Sequence, residues 1–123
     1  MTAGGDYTIP AASAARPPLS LVVLIHRRDG FACAYCGATP AELHVDHVRP
    51  LAHFAATASP SAVNDPSNLV TACVDCNQAK GPQNLAGFAE LLRGRGIPPR
   101  TVTRMIRRAN AARRRPFPVP AKA

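Results

Sequence analysis

The sequence predicts a small α+β fold held together by four cysteines, and three observations predict it. Two C-x2-C pairs, Cys33/Cys36 and Cys73/Cys76, flank the middle of the chain. Two short apolar runs, around 42–47 and NLVTAC at 68–73, have strand length and are bounded by turn residues. The stretches on either side carry apolar residues at helical spacing. The implied order is helix, cysteine knuckle, strand, loop, strand, then three helices. A chain of 123 residues has room for one domain.

Each element has its own signal. MTAGGDYTIPAASAARPP, 1–18, is rich in Ala, Gly and Pro without a period, and reads as a flexible tail. In SLVVLIHRRDG, 20–30, Leu21, Leu24, Ile25 and Arg28 fall at helical spacing, Ser20 is a candidate cap, and Asp-Gly is a stop. Its β-branched residues leave a strand open. The first strand is broken by Pro50, and a loop covers roughly 52–67 with Pro60 and Pro66. VDCNQAK, 74–80, begins a helix that Gly81-Pro82 ends. LAGFAELLRG, 85–94, puts Leu85, Phe88, Leu91 and Leu92 on one face. The last helix, 98–115, sets Val102, Met105, Ile106 and Ala109 in a stripe among arginines, and 116–123 reads as a second tail.

The four cysteines point to a metal. Two thiolates two residues apart can hold one ion from a tight turn, and two such turns complete a tetrahedral S4 set, the chemistry of zinc. Disulfides are the alternative. Four sulfurs saturate the ion and leave no position for water, so this zinc is expected to be structural. It also answers a size problem, because 31–82 has few large apolar side chains and needs a staple.

Charge narrows the partner. Lys and Arg number 15 against 7 Asp and Glu, a formal charge of +8. That excess favours a polyanion, nucleic acid or an anionic surface. Two Tyr, four Phe and no Trp argue against a stacking platform for single strands. The longest apolar stretch, LSLVVLI, is too short for a membrane span, and the His-Arg-Arg-Asp after it is no cleavage site. The expectation is an intracellular, cytoplasmic protein with no membrane partner. The arginine-rich helix 98–115, with Arg104, Arg107, Arg108, Arg113, Arg114 and Arg115, is the expected arm for holding that polyanion; the alternative is a packed helix with solvated arginines.

Asp46 and His47, side by side in LHVDHVRPL, are out of place in a strand interior. With zinc satisfied by sulfur, Asp46 and the Asn77 amide could offer oxygen to a hard cation such as Mg2+. His47 would then be free to act as a general base. Successive strand residues point to opposite faces, so one shared site requires the strand to end or bulge there. His44 shares the face of Asp46 and could support it.

FACAYCGATPAELHVDHVRPLAHF followed by NDPSNLVTACVDCNQAKG resembles the HNH endonuclease family in its four-cysteine, zinc-containing form. The shared parts are the first C-x2-C, Asp-His-x-x-Pro, Asn-Leu-Val and C-x2-C-N-x-x-K-G, in order over about 20–82. The resemblance implies a ββα-metal finger: two antiparallel strands, a loop and a helix, in a nuclease domain over 19–97. It implies His47 as general base, Asp46 and Asn77 as ligands of a catalytic divalent ion (Mg2+ or Mn2+), Asn68 as the brace of the loop carrying the base, and Lys80 as a phosphate contact. It implies a metal-dependent DNA endonuclease of a phage or mobile-element kind, with the basic helix 98–115 as its DNA-holding arm and nicking or double-strand cutting both open; no base-reading element is identifiable in the sequence, so low sequence preference is expected. The rival is a zinc-stabilised DNA-binding module without catalysis. Two departures stand out: the loop AHFAATASPSAVNDPS has no glycine, and Asn77 replaces the final His of the pattern.

Overall fold

The computed structural model describes residues 16–118. Most of the expected tail 1–18, and the end of the tail 116–123, lie outside the described residues. The first helix, α1, is Leu19–Arg28. No side chain caps it, so Ser20 is not the cap; the Pro18 carbonyl accepts from the amides of Leu21 and Val22 instead. The β-branched Val22, Val23 and Ile25 do not make it a strand, because the helical spacing buries Ile25 and Arg28 together on the sheet.

The sheet has two strands, β1 at Leu43–His47 and β2 at Leu69–Cys73, paired antiparallel from Leu43↔Cys73 to His47↔Leu69. The connection between them is more ordered than an open loop. It holds a turn of 3-10 helix at Leu51–His53, a short helix α2 at Pro60–Val63, and a second 3-10 turn at Pro66–Asn68. Ser59 caps α2 by accepting from the Ala62 amide, with Pro60 pre-set in the first turn. Asp65 does the same for the second turn through the Ser67 amide, and Pro66 follows it. Such caps explain why a glycine-free stretch still folds here.

Helix α3, Val74–Lys80, starts directly on β2, with the Cys73 sulfur accepting from the Cys76 amide. Gly81 ends it at φ +53°, a conformation that side chains resist. Helix α4 is Leu85–Gly94, capped by Asn84, and α5 is Pro99–Arg114. No helix among the described residues is long and apolar enough to cross a membrane.

The sheet is covered on both faces. Val70 and Ala72 join Val48, Phe88, Ala89, Leu92, Val102, Met105, Ala109 and Ala112 in one apolar core under α4 and α5. Leu69 and Thr71 project to the other face, toward Ile25, Arg28 and Asp29 of the α1 region. Helix α5 therefore contributes its apolar stripe to the core of the same body that holds the sheet, and its arginines ring the outside. The architecture is α+β, as the sequence predicts, with the four cysteines gathered at one end of the sheet.

Candidate functional site

The cysteines form the first centre. Cys33 opens a tight turn in which the Gly37 amide bonds the Cys33 carbonyl and the Cys33 amide bonds the Ala38 carbonyl, both at 2.8 Å. Gly37 takes φ +81°, and the Arg108 guanidinium packs where a β-carbon would sit, 3.3 Å away. Cys73 and Cys76 come from the junction of β2 and α3. All four sulfurs lie within 4.8 Å of one another, with Cys36 and Cys73 at 3.8 Å. A zinc tetrahedron with Zn–S near 2.3 Å has edges of about 3.8 Å, so the donor set fits the ion. Amides of Cys36 and Ala38 point at the Cys33 and Cys36 sulfurs, as thiolates require. The Cys33 thiol is pushed down to about 4, chiefly by its hydrogen bond with Cys76, whose own thiol is pushed up by the same contact.

Beside this centre lies a buried polar triad from three elements. The Tyr35 hydroxyl, between the knuckle cysteines, donates to Asp46 Oδ2 at 2.5 Å. Lys80 Nζ, the last residue of α3, meets Asp46 Oδ2 at 3.1 Å and Oδ1 at 3.3 Å, and donates to the His47 carbonyl at 2.9 Å. Tyr35 and Lys80 are wholly buried, and Asp46 is 6% exposed. Burial drives the Asp46 carboxyl above its ordinary value against the pull of Lys80, and drives the Tyr35 hydroxyl up as well. A buried ammonium of this kind survives only when paired and hydrogen-bonded, as it is here.

Lys80 thus differs from its expected role. It does not reach a phosphate, because its ammonium is enclosed under β1. Asp46 likewise presents no open oxygen, since Tyr35 and Lys80 already occupy both. His44 supports Glu42 at 2.9 Å on the surface, not Asp46. Asn77 is half-buried on α3.

His47 faces the other way. The strand register runs unbroken through Asp46 and His47, and the Val48 amide extends it to the Asn68 carbonyl at 2.8 Å. No bulge turns the two side chains to one face, so the pleat sends the carboxylate to the core and the imidazole to the α1 side. There His47 Nε2 lies 2.8 Å from Asn64 Oδ1. Asn68 joins the segments around this pair. Its Oδ1 accepts from the Arg49 amide at 2.8 Å, and its Nδ2 donates to the carbonyls of Arg49 at 3.1 Å and Val63 at 3.0 Å.

A second polar network lies under the same face. Arg28 and Asp29 form a buried pair at 2.8 Å, and Arg28 also donates to the carbonyls of Pro66 and Leu69. Asp29 Oδ2 accepts from the Thr71 amide at 2.7 Å, and the Thr71 hydroxyl meets His26 Nδ1 at 2.9 Å. Burial holds His26 below its ordinary value.

The arginines divide by attachment. Arg108 donates to the Tyr35 carbonyl at 2.6 Å and Arg113 to the Ser67 carbonyl at 2.7 Å, so both lash α5 to the sheet region. Arg104, Arg107, Arg114 and Arg115 stay exposed. An open trough between α4 and α5 is lined by Arg93, Thr103, Arg107 and Asn110. Past Thr103 and Arg107 it meets a depression with Arg100 and Arg104; past Leu85 and Ala86 it meets one with Arg49, His53 and Arg113.

Tyr35, Asn64 and the Arg28–Asp29 pair escaped the sequence reading. CAYC hides Tyr35 inside a zinc knuckle, Arg28 reads only as a residue at helical spacing, and Asp29 only as part of the Asp-Gly stop. Asn64 carried no signal, because its importance depends on a fold of the loop that no period announces. Residues 33–83 match the family model described as HNH endonuclease. No curated protein and no solved structure matches the chain.

Proposed function

We propose that the protein is an HNH endonuclease that hydrolyses DNA phosphodiester bonds with His47 as the general base, a reading supported by the match of residues 33–83 to that family's model and by the four gathered cysteines. The observation that supports this best is the setting of His47. Its imidazole is half-buried at the end of a strand, hydrogen-bonded on one nitrogen, in a segment that Asn68 braces on both sides. A base must be held still and keep a free lone pair. In the proposed step the imidazole removes a proton from water as that water attacks phosphorus, the P–O3′ bond breaks, and the departing 3′ oxygen takes a proton from solvent, leaving 5′-phosphate and 3′-hydroxyl ends.

DNA is the substrate the charge favours. The trough between α4 and α5 adjoins a depression lined by Arg49 and Arg113. Arg104 and Arg107 are exposed there to meet phosphates, and Arg114 and Arg115 extend the charge beyond the helix end. No base-reading element is evident among the described residues, and weak sequence preference belongs to this proposal; nicking activity and a phage or mobile-element setting extend the same reading.

The zinc serves structure. The expected catalytic ion is a different matter. Asp46 and Asn77 would have to hold it, and the Asp46 carboxylate is closed by Lys80 and Tyr35. A dication would sit against an ammonium in a medium that screens poorly. These residues do not fit the ion as arranged, and the step above is written without it.

That closure favours one rival, a zinc-stapled DNA-binding module with no catalysis. A plasmid assay separates the two. Zinc-loaded protein is incubated with supercoiled DNA and Mg2+ or Mn2+, beside His47→Ala. Nicked or linear DNA that falls by roughly 10²–10⁴-fold in the variant supports the base. Retardation on a gel with no cutting under any ion establishes the binding module.

A further inference from the structure

We propose that Asn64 selects the tautomer of His47, protonating Nε2 and leaving Nδ1 as the nitrogen that accepts the proton from water. The inference rests on the reading of His47 as the base, and names the residue that positions it.

The geometry is direct. His47 Nε2 and Asn64 Oδ1 are 2.8 Å apart. An amide oxygen only accepts, so the ring nitrogen facing it must donate. A neutral imidazole carries one N–H. Placing it on Nε2 puts the lone pair on Nδ1. The bond also fixes the ring plane, which a base needs as much as its proton affinity.

Asn64 is built to hold that place. It is 8% exposed and sits just past α2, with its amide bonded to the Pro60 carbonyl at 2.8 Å. Its neighbour Val63 is buried, and the Val63 carbonyl accepts from Asn68 Nδ2. Asn68 simultaneously grips both backbone groups of Arg49, two residues beyond His47. One side chain therefore ties together the segments that carry the acceptor and the imidazole. The glycine-free stretch 52–67 acquires a purpose here: Ser59 and Pro60 wind it into the turn that presents Asn64. Asn64 is a positioning residue, acting through His47.

The test reads the ring nitrogens themselves. Zinc-loaded, 15N-labelled protein is examined by long-range proton–nitrogen correlation at a pH well above the ordinary histidine value of about 6.5. Comparison with His47→Gln assigns the His47 signals among the four histidines. The expected spectrum has a protonated Nε2 and an unprotonated Nδ1. Asn64→Leu removes the acceptor and should mix the tautomers, lowering kcat by about 10²-fold with KM little changed. Asn64→Asp keeps an acceptor oxygen and should keep the Nε2–H tautomer. A wild-type His47 protonated on Nδ1 overturns the proposal, whether or not DNA is cut. The expected tautomer together with a fully active His47→Ala would overturn only the base, not the role of Asn64. Should Asn64→Leu fail to fold, the wild-type and Asn64→Asp spectra still decide.

Discussion

The two faces of the sheet are built on different principles. Toward α4 and α5 the sheet meets an apolar core, and its one charged group, Asp46, is neutralised by Lys80 and Tyr35. Toward α1 it meets polar networks: Arg28–Asp29–Thr71 and, at the strand end, His47–Asn64 with Asn68 beside it. Asp46 and His47 are neighbours in sequence, yet the pleat gives one to each face. The difference teaches that this adjacent pair divides its work. The carboxylate anchors β1 to α3, and the imidazole is left on the side where polar groups can orient it.

The largest effect separates neither face and breaks both. Zinc removal should unfold the segment joining them, because the four sulfurs hold the knuckle to the β2–α3 junction. Structural zinc contributes about 10 kcal/mol or more to such domains. Chelation should abolish the cooperative melt followed by circular dichroism, and readded zinc should restore it; a melt unchanged by chelation would deny the staple.

Next come the two buried charges, one per face. Lys80→Ala leaves the Asp46 carboxylate buried without a cation, and Arg28→Ala does the same to Asp29. Each should cost about 3–5 kcal/mol. The comparison sharpens with Lys80→Met joined to Asp46→Asn. A volume-matched neutral pair is often nearly neutral, so denaturant melts should recover most of the loss. Failure to recover would mean the bond from Lys80 to the His47 carbonyl matters more than the charge pair. Mn2+ titrated into zinc-loaded protein should show no Asp46-dependent binding; a single site lost in Asp46→Asn would show that Lys80 can yield its place to an ion.

The legibility of these features follows their range. The zinc site is readable because its ligands come as local pairs whose spacing encodes a turn, the strands because they are short apolar runs between turn residues, and the last two helices from their period. Asn68 was visible through its neighbours Leu69 and Val70. Its actual partners, Arg49 and Val63, are contacts of tertiary structure that no spacing reveals. Lys80 is a phosphate contact only by resemblance, and lysine is seldom fully buried. Only the fold shows that α3 drives it beneath β1 to meet Asp46. The same holds for the arm: the stripe of α5 was legible, but not that Arg108 and Arg113 would bind carbonyls of the domain itself.

Asn68→Ala tests the His47 face alone. It strands the Arg49 amide and removes one partner each from the Arg49 and Val63 carbonyls. Unpaired buried groups cost about 1–3 kcal/mol, a loss readable as a lower urea midpoint. Cleavage should fall further than stability implies, since His47 and Asn64 lose their common brace. An equal effect on both would make Asn68 a structural residue only.

The smallest effect on the fold belongs to the exposed arginines, and it should be a large one on binding. Arg104→Ala with Arg107→Ala touches neither face of the sheet, because both side chains are exposed on α5 and line the open depression next to the trough. Melting should be unchanged within about 0.5 kcal/mol. DNA affinity should weaken uniformly across sequences, and the slope of log K against log salt should shrink by about 0.9 per lost phosphate contact, so by about 1.8 for the pair. Arg108→Ala provides the contrast. Its guanidinium is committed to the Tyr35 carbonyl and packs on Gly37, so it should lower stability before it alters the salt slope. If the two variants exchanged these signatures, the division between lashing and binding arginines would be wrong, and with it the placement of DNA along the α4–α5 trough.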